Sequence, residues 1–155
     1  MPTLRDWRDQ ARRIRYVGIT TSHGRRHEAM EEVIRKQRDF DFVQFSYSLG
    51  DREAEARLLP AAQAHGKAVL VNRPFRRGAL FEPVKGKPLP PWAAEIGCTT
   101  WAQYFLKFVI SHPAVTCAIP ATSRVDHMQE NLTALRGPLP DAALRARMAQ
   151  HFDAL

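Results

Sequence analysis

Cysteine is scarce in this chain. Only Cys98 and Cys117 occur in 155 residues, too few for a disulfide framework, and neither has a second cysteine at metal-ligand spacing. Long apolar runs are missing too. The best, Phe105 to Ile110, is far shorter than a bilayer span and contains Lys107. The chain opens directly into charged residues, Met1-Pro-Thr-Leu-Arg-Asp-Trp-Arg, without the apolar core of a signal peptide. These absences predict a soluble, cytoplasmic protein with no membrane partner. Several catalytic signatures are also lacking: no Walker loop, no Gly-x-Ser-x-Gly elbow and no Cys–His nucleophile pattern. His23 and His27 are four residues apart, which would turn two imidazoles to one helical face. Gly24 interrupts that segment and no third ligand is near, so no metal site is expected.

What is present is ordinary globular composition, 45% hydrophobic and 25% charged, in a length suited to one domain over residues 1–155. The net charge of +7 is concentrated early, residues 1–38 holding twice as many basic as acidic side chains. Thr3 and Asp6 form a capping-box pattern, and Leu4, Trp7, Ala11 and Ile14 recur at helical spacing. Arg5, Arg8, Arg12 and Arg15 lie on another stripe, read as a solvated face rather than a nucleic-acid surface.

Three β-branched or aromatic runs follow: "RYVGITT" (15–21), "FVQFSYSL" (42–49) and "AVLVNRPF" (68–75). They begin near Tyr16, Phe42 and Ala68, at equal intervals of 26 residues, with helical patterns between. Such spacing predicts repeated βα units and a parallel sheet. The second helical pattern, "DREAEARLLPAAQAHG", is stopped by Gly66 and kinked or split by Pro60. Residues 76–98, rich in Gly, Pro and basic side chains, read as a long loop. "TTWAQYFLKFVISH" is predicted to be an amphipathic helix capped at Thr99 or Thr100, and "VTCAIP" (115–120) a fourth strand. Two terminal helices open at Thr122–Ser123 and at Pro140–Asp141.

Polar residues gather where these strands end: Thr20 and Thr21, Gln44, Asn72 and Arg73, then Thr122 to Arg124. In parallel α/β folds ligands bind at that edge. Gln44, between Val43 and Phe45, is either buried and in need of a partner or outward and solvated.

The order of "RYVGITT", "FVQFSYSL", "AVLVNRPFRRG" and "CAIPATSRVDHMQEN" resembles the C-terminal half of the aldo/keto reductases, NADP-dependent (β/α)8-barrel oxidoreductases. The likeness covers nearly the whole chain, and its last motif is the most specific. It implies a partial TIM barrel of four parallel strands, strands five to eight of the family fold, and NADP(H) as cofactor. By this resemblance Ala121, Thr122, Ser123, Arg124 and His127 stand where the family holds the adenosine 2′-phosphate, near a helix N-terminus that favours anions. Glu130 and Asn131 stand where it binds adenine. His127 occupies a position often held by arginine, which implies a weaker phosphate grip. Without the family, Arg124 and His127 read as surface residues. Thr20 and Thr21 replace the usual Ser-Asn that, with Gln44, holds the nicotinamide carboxamide. Asn72 replaces the aromatic residue that stacks on the nicotinamide, and Phe75 and Trp92 are the candidates to compensate. Arg73, Pro74, Phe75 and the turn Arg76, Arg77, Gly78 would line the pyrophosphate.

Intact members of the family pass the pro-R hydride of the nicotinamide to an aldehyde or ketone, using an Asp, a Tyr, a Lys and a His from the first half of the barrel. No Asp-x-Ala-x-x-Tyr-Gly segment exists here. Tyr16 and Tyr47 read as strand packing, and Tyr104 and Lys107 are three apart, not the four of a short-chain dehydrogenase pair. The resemblance thus implies cofactor-binding segments without a catalyst. A half-barrel also leaves two bare edges, which a homodimer or a complementary half-barrel subunit would close. The alternatives are a non-catalytic nucleotide-binding or subunit-pairing half-barrel and, more weakly, a basic nucleic-acid binder, against which the lack of interleaved aromatics counts.

Overall fold

The computed structural model describes residues 3–21 and 27–155. Helix α1 (Leu4–Asp9) begins with the predicted capping box: Thr3 Oγ1 accepts from the Asp6 N–H at 3.3 Å, and Asp6 Oδ2 accepts from the Thr3 N–H at 2.7 Å. It ends earlier than the periodicity predicts. Arg12 adopts a left-handed φ of 49°, so Ala11 and Ile14 leave the helix and no residue of α1 is buried. Arg5 and Arg8 on its polar side are paired with Asp39 and Asp9.

Four strands form one parallel sheet in the order β1-β2-β3-β4: β1 (Gly18–Thr20), β2 (Phe42–Ser46), β3 (Ala68–Asn72) and β4 (Cys117–Ala118). β2 and β3 start at the expected residues, while β1 starts at Gly18, two residues after Tyr16, and all the runs are shorter than the apolar patterns. Gly18 is required where it stands, because a Cβ there would lie 2.9 Å from the Cβ and carbonyl oxygen of Phe42. The register places Thr20, Gln44, Leu70 and Cys117 in one row across the sheet, with Ser46 beside Asn72 one step further on. Strand periodicity puts this row on one face and Val43, Phe45, Val69 and Val71 on the other. Those four side chains are fully buried, whereas the row from Thr20 to Cys117 is half-buried or exposed. Gln44 is thus half-buried on the open face.

Helices α2 (His27–Lys36), α3 (Leu58–Ala64), α4 (Trp101–Ile110), α5 (Val125–Thr133) and α6 (Ala142–Asp153) complete the chain. The predicted helix over residues 51–66 is split into a 3-10 turn, Glu53–Glu55, and α3, with Pro60 in the first turn of α3, where its missing N–H breaks no helical bond. Residues 76–98 are more ordered than a bare loop. They carry 3-10 helices Arg76–Phe81 and Pro91–Ile96, anchored by buried Leu80, Val84, Ala93 and Ile96.

Helix α4, capped by Thr100, is not amphipathic but buried almost all round, Gln103 and Lys107 included. Lys107 Nζ donates to the carbonyls of Arg136 (2.6 Å) and Pro138 (2.9 Å), fixing the connection between α5 and α6. Burial holds its pKa below the ordinary lysine value. Arg145 of α6, also buried, donates to Tyr47 Oη (2.6 Å), Glu55 Oε1 (2.7 Å), Ser111 Oγ (3.0 Å) and the Phe108 carbonyl. Tyr47, read as a packing residue, is also a polar link that donates to Glu55. Tyr104 is buried and donates to the Met148 carbonyl at 3.3 Å.

Candidate functional site

The chain beyond β4 turns sharply through Ile119 to Arg124 and enters α5. Arg124, not Thr122 or Ser123, occupies the N-cap position, and its side chain makes no capping bond. Thr122 Oγ1 instead accepts from the Arg124 N–H at 3.1 Å, closing the turn one step earlier. The Arg124 side chain caps none of the first N–H groups of α5, while the Asp126 carboxylate takes a bond from the His127 N–H; a helix N-terminus as such favours an anion.

A hydrogen bond holds α5 against α4: Gln103 Nε2 donates to Thr133 Oγ1 at 2.7 Å, and Thr133 Oγ1 in turn donates to the Glu130 carbonyl within α5 at 2.6 Å. Between the helix starts lies a cavity of about 420 Å³. Thr122, His127, Glu130 and Asn131 wall it on the α5 side with Ala121, and Thr100, Trp101 and Ala102 on the α4 side; Phe75 and Phe81 close it. The Trp101 ring is fixed by its Nε1–H bond to the Lys87 carbonyl (2.9 Å) and by stacking on His151, with centroids 6.2 Å apart. The result is a slot with an aromatic wall, a carboxylate, an amide and a helix N-terminus at its mouth. Such a set suits a flat heteroaromatic ring carrying a phosphate.

A second concavity, about 230 Å³, is formed by Ser46, Asp51, Arg73, Arg76 and Arg77. Arg73, Arg76 and Arg77 all have left-handed backbone, with φ of 53°, 49° and 59°. Non-glycine residues in that region are strained. Arg76 Nη1 donates to the Gly50 carbonyl at 3.1 Å. Three guanidiniums face one carboxylate here, leaving a net positive hollow.

The aldo/keto reductase family profile matches residues 9–147. The chain belongs to the aldo/keto reductase family. Its fold is similar to that of the aldo-keto reductase AKR11C1 from Bacillus halodurans, with a TM-score of 0.69 and 22% identity over 95% of this chain and 53% of that one. It is likewise similar to an aldo-keto reductase from Klebsiella pneumoniae solved with NADPH (TM-score 0.68, 24% identity, 90% of this chain and 48% of that). A Klebsiella pneumoniae structure with NADP and acetate gives a TM-score of 0.69 at 26% identity, again over 90% and 48%. The chain spans about half the length of these reductases, and its four parallel strands with their helices are a partial aldo/keto reductase barrel.

The remaining predicted site residues of this half-barrel fall into three groups. Ala121, Thr122, His127, Glu130, Asn131 and Phe75 converge on the larger cavity, while Ser123 and Arg124 are exposed beside it. Arg124 is already engaged: Nε donates to Asp126 Oδ1 at 3.0 Å and Nη2 to Oδ2. That fork raises the Arg124 pKa and holds the Asp126 carboxyl well below the usual carboxylate range. Arg73 and Arg77 line the smaller hollow; Pro74 is buried and Gly78 exposed, with φ of 93°. Thr20, Thr21, Gln44 and Asn72 stand at the strand ends. There Asn72 Oδ1 accepts from Ser46 Oγ at 2.7 Å and Nδ2 donates to the Thr21 carbonyl at 3.2 Å. Trp92 packs on Tyr104 and His151, beneath Arg147. Of the cavity walls, Thr100, Trp101, Ala102 and Phe81 were not foreseen as site residues. Trp101 alone left a signal, an aromatic directly after a capping threonine.

His23 lies outside the described residues. His27 is buried, its Nδ1 3.9 Å from Glu53 Oε1. Among the described residues no three metal-binding side chains cluster, and no helix is long and apolar enough to cross a membrane.

Proposed function

We propose that this chain is the NADP(H)-binding half of an aldo/keto reductase-type oxidoreductase and is not a catalyst alone. The observation that carries the reading is the convergence of Thr122, His127, Glu130, Asn131 and Trp101 on one slot beside the start of α5. Those residues fit the adenosine end of the dinucleotide, with Arg124 and Ser123 near its 2′-phosphate. The hollow of Arg73, Arg76 and Arg77 fits pyrophosphate, to which charge-assisted bonds are strong. When bound, the dinucleotide supplies a hydride; the Asp, Tyr, Lys and His that direct it in the family have no counterpart motif in these 155 residues. Solved relatives from Klebsiella pneumoniae in complex with NADPH and NADP support this choice of cofactor.

Fluorescence titration of the purified chain with NADPH and with NADH tests it. Saturable NADPH binding, tighter than NADH binding, is the expected result; no binding of NADPH would overturn the proposal. NADPH oxidation with an aldehyde by this chain, free of host reductases, would overturn the non-catalytic part. We place the protein in the cytoplasm, in keeping with two free thiols at Cys98 and Cys117.

A second feature favours a partner. Among the described residues strand β4 pairs with β3 alone, and beside it exposed Ile119, Met128, Leu132 and Leu135 frame an apolar groove of about 650 Å³. A second copy of the chain or a complementary half-barrel would cover this edge.

A further inference from the structure

We infer that nucleotide recognition by this chain is one-ended: the adenosine bisphosphate moiety is gripped and the nicotinamide end is not. The ligand class is then 2′-phosphorylated adenosine nucleotides generally, with or without a nicotinamide. The inference rests on the cofactor reading above and narrows it to one part of the site.

The two ends of the candidate site differ in construction. The α4–α5 slot has an aromatic wall, Trp101, whose ring is immobilised by a hydrogen bond and by His151. Its polar groups, Glu130 and Asn131, sit on a helix stapled to α4 through Gln103 and Thr133. Such a slot is preorganised, so a ring entering it orders little that is not already fixed.

The ends of β1 to β3 offer the opposite. No aromatic side chain among the described residues stands there as a stacking surface. Asn72 holds the position, and its amide is used within the protein, accepting from Ser46 and donating to Thr21. That bond set ties three adjacent strands together and turns the amide along the sheet edge. Phe75, the nearest ring, is packed on Phe81 with centroids 5.3 Å apart and belongs to the adenosine slot. Gln44 lies on the open face beside Thr20 and Leu70. A half-exposed amide that exchanges water for a ligand gains little.

Calorimetric titration of the full chain with three probes tests the inference: NADP+, adenosine 2′,5′-bisphosphate and nicotinamide mononucleotide. The bisphosphate is expected to bind within about tenfold of NADP+, a difference small beside what a second gripped ring would add. Nicotinamide mononucleotide gives no heat at millimolar concentration. A bisphosphate affinity more than about tenfold below that of NADP+, or measurable mononucleotide binding, would overturn the inference and leave the cofactor reading intact. Failure of NADP+ itself to bind removes both. Glu130→Gln and Trp101→Leu should weaken NADP+ and the bisphosphate by the same factor; Asn72→Ala should leave their ratio unchanged. A variant Asn72→Ala that loses NADP+ affinity while keeping that of the bisphosphate would show a nicotinamide contact and sink the idea.

Discussion

Arg124 and Asp126, two residues apart at the entrance to α5, form a fork of two parallel hydrogen bonds with each other. The arginine beside the mouth of the slot is thus paired before any ligand arrives. Both side chains are more than half exposed, so the pair is readily exchanged, but a phosphate that takes Arg124 leaves Asp126 as a nearby negative charge.

Replacing that charge should therefore sharpen phosphate selectivity. The variant Asp126→Asn, which keeps a polar side chain in the first turn, is expected to raise the NADPH-to-NADH affinity ratio by about threefold to tenfold. Arg124→Ala should lower the ratio by a similar factor. Parallel fluorescence titrations at low and at 0.3 M salt would check this, because the effect should shrink as salt screens it. An unchanged ratio in both variants would mean the fork plays no part in selectivity.

Lys107 makes a different prediction, about stability. Its ammonium is buried in α4 and satisfied only by two carbonyls, those of Arg136 and Pro138. The change Lys107→Met keeps most of the volume and strands both acceptors, and is expected to cost about 2–3 kcal/mol. For a chain of this size that corresponds to a melting temperature lower by roughly 4–12 °C. A shift below about 1 °C would show that water replaces the ammonium without loss.

Lys107 also shows why some of this molecule was legible in the sequence and some was not. Equal spacing of three strand starts revealed the parallel sheet, because each βα unit has a fixed length of chain to spend. The box at Thr3 and Asp6 was equally readable, since capping is local. The periodicity of α4 failed, because a lysine in an apolar run looks solvent-facing until the carbonyls it reaches, some thirty residues away, are known. The bonding of Asn72 was hidden for the same reason: its partners Ser46 and Thr21 belong to other strands, and only the register brings them together. For the candidate site, the residues on α5 come from one contiguous motif, whereas Trp101 and Phe81 reach the same cavity from other elements. The split of Arg124 from the cavity is likewise invisible in sequence, since Asp126 is a common enough helix-start residue.

Alkaline pH should unfold the chain earlier than its composition suggests. Burial pushes the Cys98 thiol up from an ordinary value of 9.0 to about 11 and raises the phenols of Tyr47 and Tyr104 as well. Each of these acids ionises first in the unfolded chain. Their contribution to stability is complete below the unfolded values near 9 and 10, and is lost as pH rises through them towards the folded values. Lys107, whose pKa is lowered by burial, works in the opposite sense over the alkaline range, but it is one group against three. Urea unfolding at pH 8 and pH 10.5 is expected to differ by about 2–4 kcal/mol. Cys98→Ala should remove the earliest part of that decline, between about pH 8.5 and 9.5. A flat profile in the wild type would contradict the burial of these groups.

The open edge yields the last prediction. Leu132 and Leu135 are 55% and 68% exposed beside β4, so a charge at either position meets water in the isolated chain. Leu135→Lys should change monomer stability by no more than about 0.5 kcal/mol, as for other exposed sites. In a partnered state the same lysine would be pressed into an apolar seam, and an unpaired charge there is costly. Light scattering at micromolar concentration separates the cases. If the wild type associates, Leu135→Lys should return it to the monomer with its urea midpoint preserved. Association that survives the substitution would move the seam away from this groove. A wild type that stays monomeric over the whole concentration range would exclude a second copy as the cover.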